Sequence, residues 1–315
     1  MIEEFKKDVD SGLSSKPKVL SSKYFYDKVG DKLFVDIMNM PEYYLTNAEY
    51  DIFKNQTVDL IKALKVDLNR PFELIELGAG DGTKTVELLS TLIQNNYDFE
   101  YLPVDISQNA LDGLEKMLGQ RVPELIVKKK QGDYFDVLSA IKDREKQKVI
   151  LFLGSNIGNL SDELAEKFIY GLGSNLNKGD MLLIGIDLIK SADIVLPAYN
   201  DAAGITSKFN MNLLTRINRE LEGDFDLSAF EHRPEYTEED GVARSFLVST
   251  KDQSVRIGAI DKTFGFTDGE KIATEISRKY NDQVISKIIA NTDFVLSEKL
   301  VDSNNYFADY ILLRN

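Results

Sequence analysis

Apolar positions in the middle of the chain switch between two periods. Residues 72–77 (FELIEL) form a short apolar run that stops at glycines, the pattern of a strand buried in a parallel sheet. Residues 83–94 then place Val86, Leu88, Leu89, Leu92 and Ile93 at helical spacing. Residues 101–105 predict a second strand and 107–118 a second helix, with Ser107 as its N-cap. A weak third strand is predicted at 125–127, a fourth at 148–153 (KVILFL) and a fifth at 181–187 (MLLIGID). Strand and helix alternating at this spacing predict a parallel, doubly wound α/β sheet. The C-terminal part changes character. Residues 294–300 and 306–313 are strand-like runs joined by 301–305 with no helix between them, so they must pair antiparallel.

Two segments stand outside this pattern. Residues 1–62 precede the sheet, and 192–285 interrupt it before its last two strands. The interruption carries a helical stretch at 210–221 and a predicted hairpin of 243–250 with 255–260. The expected organisation is one domain from 63–191 and 286–315, and a second, smaller α+β domain from 1–62 and 192–285. The second domain is expected over the carboxyl edge of the sheet, where open α/β folds bind ligands, with substrate held in the cleft.

Composition narrows the chemistry. The chain has 315 residues, 43% hydrophobic and 29% charged, an ordinary globular balance. It has no cysteine, which excludes disulfides, thiolate nucleophiles and Cys-ligated zinc. The one histidine, His232, reads as a surface or partner-facing residue, so histidine metal clusters and Ser-His-Asp triads are not expected and no metal is assigned. A formal net charge of -14 repels polyanions, so no nucleic-acid partner is expected. The basic run Lys128, Lys129, Lys130 reads as the solvated end of a strand. No apolar run approaches the roughly 18 residues of a membrane span, and the first residues lack the apolar core of a signal peptide. A cytoplasmic monomer acting on a small molecule is the expectation.

The sharpest local motif is Glu76-Leu77-Gly78-Ala79-Gly80-Asp81-Gly82-Thr83-Lys84. Glycines here allow a tight turn and close approach of a ligand to the backbone. A dinucleotide fold wants G-x-G-x-x-G, but the third glycine, Gly82, comes one residue early and Thr83 stands where that pattern wants glycine. The variant G-x-G-x-G suits a ligand without phosphates, and S-adenosylmethionine (SAM) is one. Asp105 ends the second strand, where a carboxylate accepts both ribose hydroxyls. Gly132-Asp133-Tyr134 follows the third strand, where the Asp accepts the adenine amine and the ring packs nearby. Three such signals on successive strand ends predict nucleoside binding, and the loop spacing favours SAM over NAD.

Longer stretches are more specific. These are Tyr24-Phe25-Tyr26-Asp27 with Gly30 and Leu33-Phe34, then Pro41-Glu42-Tyr43-Tyr44-Leu45-Thr46, and the run from Phe152 to Leu160 (FLGSNIGNL). Later come Gly185-Ile186-Asp187-Leu188 with Lys190, Ala198-Tyr199, Asn218-Arg219-Glu220-Leu221 and Thr274-Glu275-Ile276-Ser277. Over nearly its whole length the chain resembles the histidine Nα-methyltransferases of ergothioneine biosynthesis. The resemblance implies a Rossmann-like class I SAM-dependent methyltransferase fold and stepwise methylation of histidine to its trimethyl betaine. It puts Gly78, Lys84, Asp105, Asp133 and Tyr134 on cofactor positions, beside Gly80 of the same loop. It puts Asn159 and Tyr199 at the substrate carboxylate, Tyr43, Glu275 and Ser277 at the imidazole, and Tyr26 and Gly154 near the amine. Tyr134 stands where close relatives carry phenylalanine. Ser245 falls at a pocket position where bacterial relatives carry methionine.

The residue types agree with these implied roles. Amide and phenol groups bind a carboxylate without adding charge, and Glu275 and Ser277 complement the two imidazole nitrogens. The free α-amine, with a reference pKa of roughly 8, must lose a proton before it attacks. No His or Cys is placed to take that proton, so release through water and catalysis by proximity and orientation are expected. Plainer readings compete at several positions. Tyr43 and Tyr44 could be core aromatics, Asn159 a cap for a helix beginning near Asp162, Glu275 and Ser277 a solvent-facing pair, and Tyr199 a buried tyrosine. Competing functions are methylation of another amino acid or aromatic amine such as tryptophan, an NAD-dependent oxidoreductase, and a silent binding module.

Overall fold

In the computed structural model, which describes residues 2–315, the strand Phe72–Leu77 is buried at every position. Parallel neighbours flank both its edges, Phe99–Asp105 on one side and Gln147–Phe152 on the other. Alternate side chains therefore enter different cores: Phe72 and Leu74 join one apolar cluster, Ile75 and Leu77 another. The full sheet has seven strands. Their order is Phe294–Val301, Phe307–Arg314, Met181–Asp187, Gln147–Phe152, Phe72–Leu77, Phe99–Asp105 and Lys130–Gln131. Phe307–Arg314 runs antiparallel to both its neighbours, and the other pairings are parallel. This is a Rossmann-like doubly wound sheet finished by the antiparallel pair expected from the sequence.

The helix Thr85–Gln94 covers one face with Val86, Leu88, Leu89 and Leu92. The helix Gln108–Arg121 starts at Ser107, whose hydroxyl accepts the Ala110 N–H at 3.2 Å. The third strand departs from expectation. Val127 makes only an isolated parallel bridge to Tyr101, and the strand proper is Lys130–Gln131. This edge carries three consecutive lysines, two of which turn to acidic partners, Lys128 to Glu100 and Lys129 to Asp112 and Glu115. An edge with so little apolar side chain to bury pairs briefly.

The chain divides into two compact units, one of residues 45–189 with 278–315 and one of the residues up to 44 with 190–277. All three boundaries differ from the sequence expectation, which put 45–62 and 278–285 with the smaller domain and 190–191 with the larger. Phe53, Leu60 and Ile61, on the helices Tyr44–Asn55 and Thr57–Ala63, belong to one core of the seven-stranded sheet. Tyr280 and Ile285 belong to its other core. Burial on the sheet decides membership.

The smaller unit has its own core around the helix Ile205–Leu221, which buries Phe209, Leu213, Leu214, Ile217 and Leu221. Its four-stranded sheet has the order Lys18–Val19, Lys271–Arg278, Val242–Ser249, Phe230–Glu235. The predicted hairpin of 243–250 with 255–260 does not form. Both edges of Val242–Ser249 are taken, so Gln253–Ile257 pairs instead with Lys262–Phe266 in a separate two-stranded sheet.

Candidate active site

The glycine motif leaves the carboxyl end of Phe72–Leu77 as a left-handed turn, with φ of 70° at Gly78, 55° at Gly80 and 70° at Gly82. The Gly78 N–H donates to the Val104 carbonyl at 2.8 Å, which keeps the turn beside the next strand. A side chain at Gly80 would meet no atom within 4 Å, so the turn is open there. A Cβ at Gly78 would lie 2.8 Å from the Tyr134 hydroxyl oxygen. The phenol therefore reaches over the turn, as an aromatic wall for a ligand on it would. Asp105 accepts the Ser107 N–H at 2.8 Å and Asp133 accepts the Phe135 N–H at 2.8 Å. Each carboxylate keeps a second acceptor oxygen. Burial raises the Tyr134 phenol above its usual value, and the charges of Asp105 and Asp133 add to the shift. A bare turn, two carboxylates and one ring thus converge on consecutive strand ends. The donor set fits the nucleoside and amino-acid ends of SAM.

Behind the turn, Glu76 is buried and accepts the hydroxyls of Thr85 at 2.7 Å and Tyr101 at 2.5 Å. Burial pushes its carboxyl up to about 7, against these two hydrogen bonds, which lower it. Lys84, at the start of the next helix, pairs with the fully buried Glu49.

Gly154 follows the strand Gln147–Phe152 in a left-handed turn with φ of 75°, and Ser155 continues it with φ of 57°. The Ser155 hydroxyl accepts the Asp187 N–H at 2.9 Å. The 3₁₀ turn Asn156–Asn159 follows, with Asn159 exposed at its end. The next helix, Asp162–Ser174, is capped by Ser161, which accepts the Leu164 N–H. The capping role is therefore filled, and Asn159 does not serve it. Gly78, Gly80, Lys84, Asp105, Asp133, Tyr134, Gly154 and Asn159 all lie at or just beyond the carboxyl ends of the strands of one sheet.

The remaining candidates lie in the smaller unit. Asp27 caps the helix Lys28–Met38 by accepting the Val29 and Gly30 N–H groups. Gly30 lets that helix press on the preceding loop, since a Cβ there would sit 1.8 Å from the Phe25 carbonyl oxygen. Tyr26 is thereby fixed, edge-on to Phe34 and Phe209. Although 43% of Tyr26 is exposed, partial burial raises the phenol, with Glu275 and then Asp31 adding charge repulsion. Glu275 and Ser277 share a face of the strand Lys271–Arg278. Ser277 is only 7% exposed, so the solvent-facing reading fails for it. Tyr199 is buried at the end of the helix Ala192–Tyr199, in a cluster with Tyr236 and Ala243 against which Tyr43 and Tyr44 pack. Tyr44 accepts a hydrogen bond from the Lys190 ammonium at 3.1 Å, and the Tyr236 hydroxyl donates to the Lys190 carbonyl at 2.9 Å.

His232 is corrected by the structure. It is half-buried, and its Nε2 lies 2.8 Å from the Tyr199 carbonyl oxygen. Glu49 and Asp309 were missed in the sequence. A signal existed for Glu49, which stands in the helical stripe Leu45, Ala48, Ile52, Phe53, where the remaining positions are apolar and buried.

Fold, glycine turn and carboxylate spacing define a SAM-dependent methyltransferase of the Rossmann-like class I type. The chain belongs to the family of SAM-dependent, histidine-specific methyltransferases, whose model matches residues 5–314. It is 36% identical over 285 residues to the histidine N-alpha-methyltransferase of Mycobacterium tuberculosis, covering 90% of this chain and 87% of that protein. It is 30% identical over 302 residues to ergothioneine biosynthesis protein 1 of Schizosaccharomyces pombe, covering 94% of this chain and 39% of that longer protein. It is 29% identical over 322 residues to the L-tryptophan methyltransferase of Psilocybe serbica, covering 94% and 87%. Among the described residues there is no group of three or more His, Cys, Asp or Glu side chains that could hold a metal ion. No helix among them is long and apolar enough to cross a membrane.

Proposed function

We propose that the protein transfers methyl groups from SAM to the α-amine of L-histidine, stepwise to the trimethyl betaine. The observation that carries this reading is the match to the histidine-specific family along residues 5–314, which takes in both units. SAM supplies an electrophilic methyl on a sulfonium. The chain's own work is to bind, orient and manage a proton. In this reading Asp105 accepts the ribose hydroxyls, Asp133 the adenine amine, and Tyr134 walls the turn at Gly78 and Gly80. Asn159 and Tyr199 donate to the substrate carboxylate, while Tyr43, Glu275 and Ser277 hold the imidazole. Tyr26 and the Gly154 carbonyl orient the amine lone pair toward the methyl. The Tyr26 phenol, raised by its surroundings, stays protonated near neutral pH and so acts as a hydrogen-bonding group rather than as a phenolate base. The amine proton leaves to water, and the rate gain comes mainly from proximity and orientation.

A second reading is the same chemistry on another aromatic amino acid. It is favoured by Ser245, a small residue only 1% exposed whose hydroxyl has no partner. Incubation with SAM and each of the twenty amino acids, read by mass spectrometry, decides between them. Gain of three methyls on histidine alone supports the first reading, and methylation of a different amino acid replaces it.

A further inference from the structure

Three ionisable side chains meet inside the seven-stranded unit, beneath the loops that carry the cofactor positions. Glu49, on the helix Tyr44–Asn55, is fully buried. Its two carboxylate oxygens accept the Gly154 N–H at 2.9 and 3.0 Å, and one of them also takes the Lys84 ammonium. The carboxylate reaches this place because residue 185 has no side chain, since a Cβ there would lie 1.9 Å from Glu49 Oε1. Asp309 is the cross-strand partner of Gly185, so its side chain projects from the same face of the sheet. Asp309 is fully buried and neither of its oxygens has a hydrogen-bond partner. An anion in that position would be costly. Burial, then the charge of Glu49, drives the Asp309 carboxyl well above its usual range, with Lys84 opposing. Asp309 thus stands as a neutral acid beside the Lys84–Glu49 ion pair.

We propose that Glu49 is a positioning residue, whose carboxylate ties the Lys84 ammonium at the glycine turn to the backbone of the Gly154 turn. The proposal rests on the cofactor role of Lys84 and the amine-side role of Gly154 given above. Lys84 and Gly154 stand on different loops, after different strands. A Cβ at Gly154 would lie 3.8 Å from the Lys84 ammonium, so the two are neighbours that no backbone hydrogen bond joins directly. One carboxylate bonded to both sets their spacing. A charge-assisted bond of this kind, shielded from water, fixes geometry more tightly than a solvated pair would. The burial of Glu49 has a purpose in this arrangement that core packing alone would not require, because an apolar residue at position 49 would fill the helix stripe without the charge.

The test compares wild type with Glu49→Gln, an isosteric change that keeps an acceptor for Gly154 and removes the charge facing Lys84. Calorimetric titration with S-adenosylhomocysteine reads the cofactor end without turnover. Steady-state kinetics then separate KM for SAM from KM for histidine. For folded Glu49→Gln, the expectation is roughly tenfold or greater weakening of S-adenosylhomocysteine binding, a matching rise in KM for SAM and little change in KM for histidine. If Glu49→Gln does not fold, Gly185→Ala takes its place, because it displaces the carboxylate while leaving every charge in the chain, and the same weakening is expected. Binding and KM for SAM within twofold of wild type, with only a lower unfolding temperature, would make Glu49 a scaffold residue and overturn the proposal. Weakened S-adenosylhomocysteine binding in a protein that methylates no histidine would leave this inference standing and reject the substrate reading instead.

Discussion

His232 Nε2 lies 2.8 Å from the Tyr199 carbonyl oxygen, the last carbonyl of the helix Ala192–Tyr199. A carbonyl only accepts, so the ring carries its proton on Nε2, and the buried Nδ1 is left without a partner. Burial holds the imidazole below its usual value, outweighing the Tyr199 carbonyl and the charge of Asp201, which raise it. His232→Phe should therefore release the end of this helix and raise KM for the amino acid several-fold, with KM for SAM unchanged. The sign of the pH effect follows from the same shift. As pH falls through 6.5 the unfolded chain takes up the proton first, so wild type loses stability on acidification and levels off below the depressed value. Unfolding temperatures at several pH values, compared with those of His232→Phe, would reveal this difference.

Glu76 gives the opposite slope. Its folded value is about 7 against a reference of 4.5, so the folded state holds the extra proton between them. Stability from this group is complete at low pH and is lost as pH rises to about 7, by roughly 3 kcal/mol at most. Thermal melts of wild type and Glu76→Gln from pH 5 to pH 8 should converge or cross in favour of the variant as pH rises. Parallel curves would show that the carboxyl is already ionised at pH 5.

Asp105→Ala removes the acceptor proposed for the ribose hydroxyls. Loss of charge-assisted hydrogen bonds predicts S-adenosylhomocysteine binding weaker by roughly 30- to 100-fold. Asp133→Ala should weaken it less and also cost about 1 kcal/mol of stability, because Asp133 caps the helix Tyr134–Ile141. Titration calorimetry and melting of both variants check the pair. Unchanged binding in both would remove the nucleoside assignment.

Glu275→Ala should lower kcat/KM for histidine by more than roughly tenfold while affecting phenylalanine less, because the imidazole offers this carboxylate an N–H and the phenyl ring offers none. Competition between histidine and phenylalanine, read by product mass, measures the change. An equal loss for both would assign Glu275 to general architecture.

Much of the seven-stranded sheet was legible because a strand buried on both faces must be continuously apolar. The runs at 72–77, 148–153 and 181–187 appear in the structure within about a residue of their expected ends. The glycine turn was legible for a related reason, since positive φ at three nearby positions leaves few alternatives to glycine. The strand at 125–127 and the hairpin at 243–250 were misread where partners decide. An edge strand has one neighbour and weak patterning, and a run of alternating residues does not say which of several strands lies beside it.

The sequence by itself determined the fold class, the glycine turn and the family, because these rest on local periodicity, backbone conformation and residue order. Only the tertiary structure decided that 45–62 packs on the sheet, that His232 faces the Tyr199 carbonyl, and that Glu49, Lys84, Gly154 and Asp309 gather at one place. Those four residues come from a helix, two turns and the last strand of the chain, far apart in sequence. Their meeting follows from the order of the strands in the sheet and from the missing side chain at Gly185, which opens room for a carboxylate that no local pattern announces.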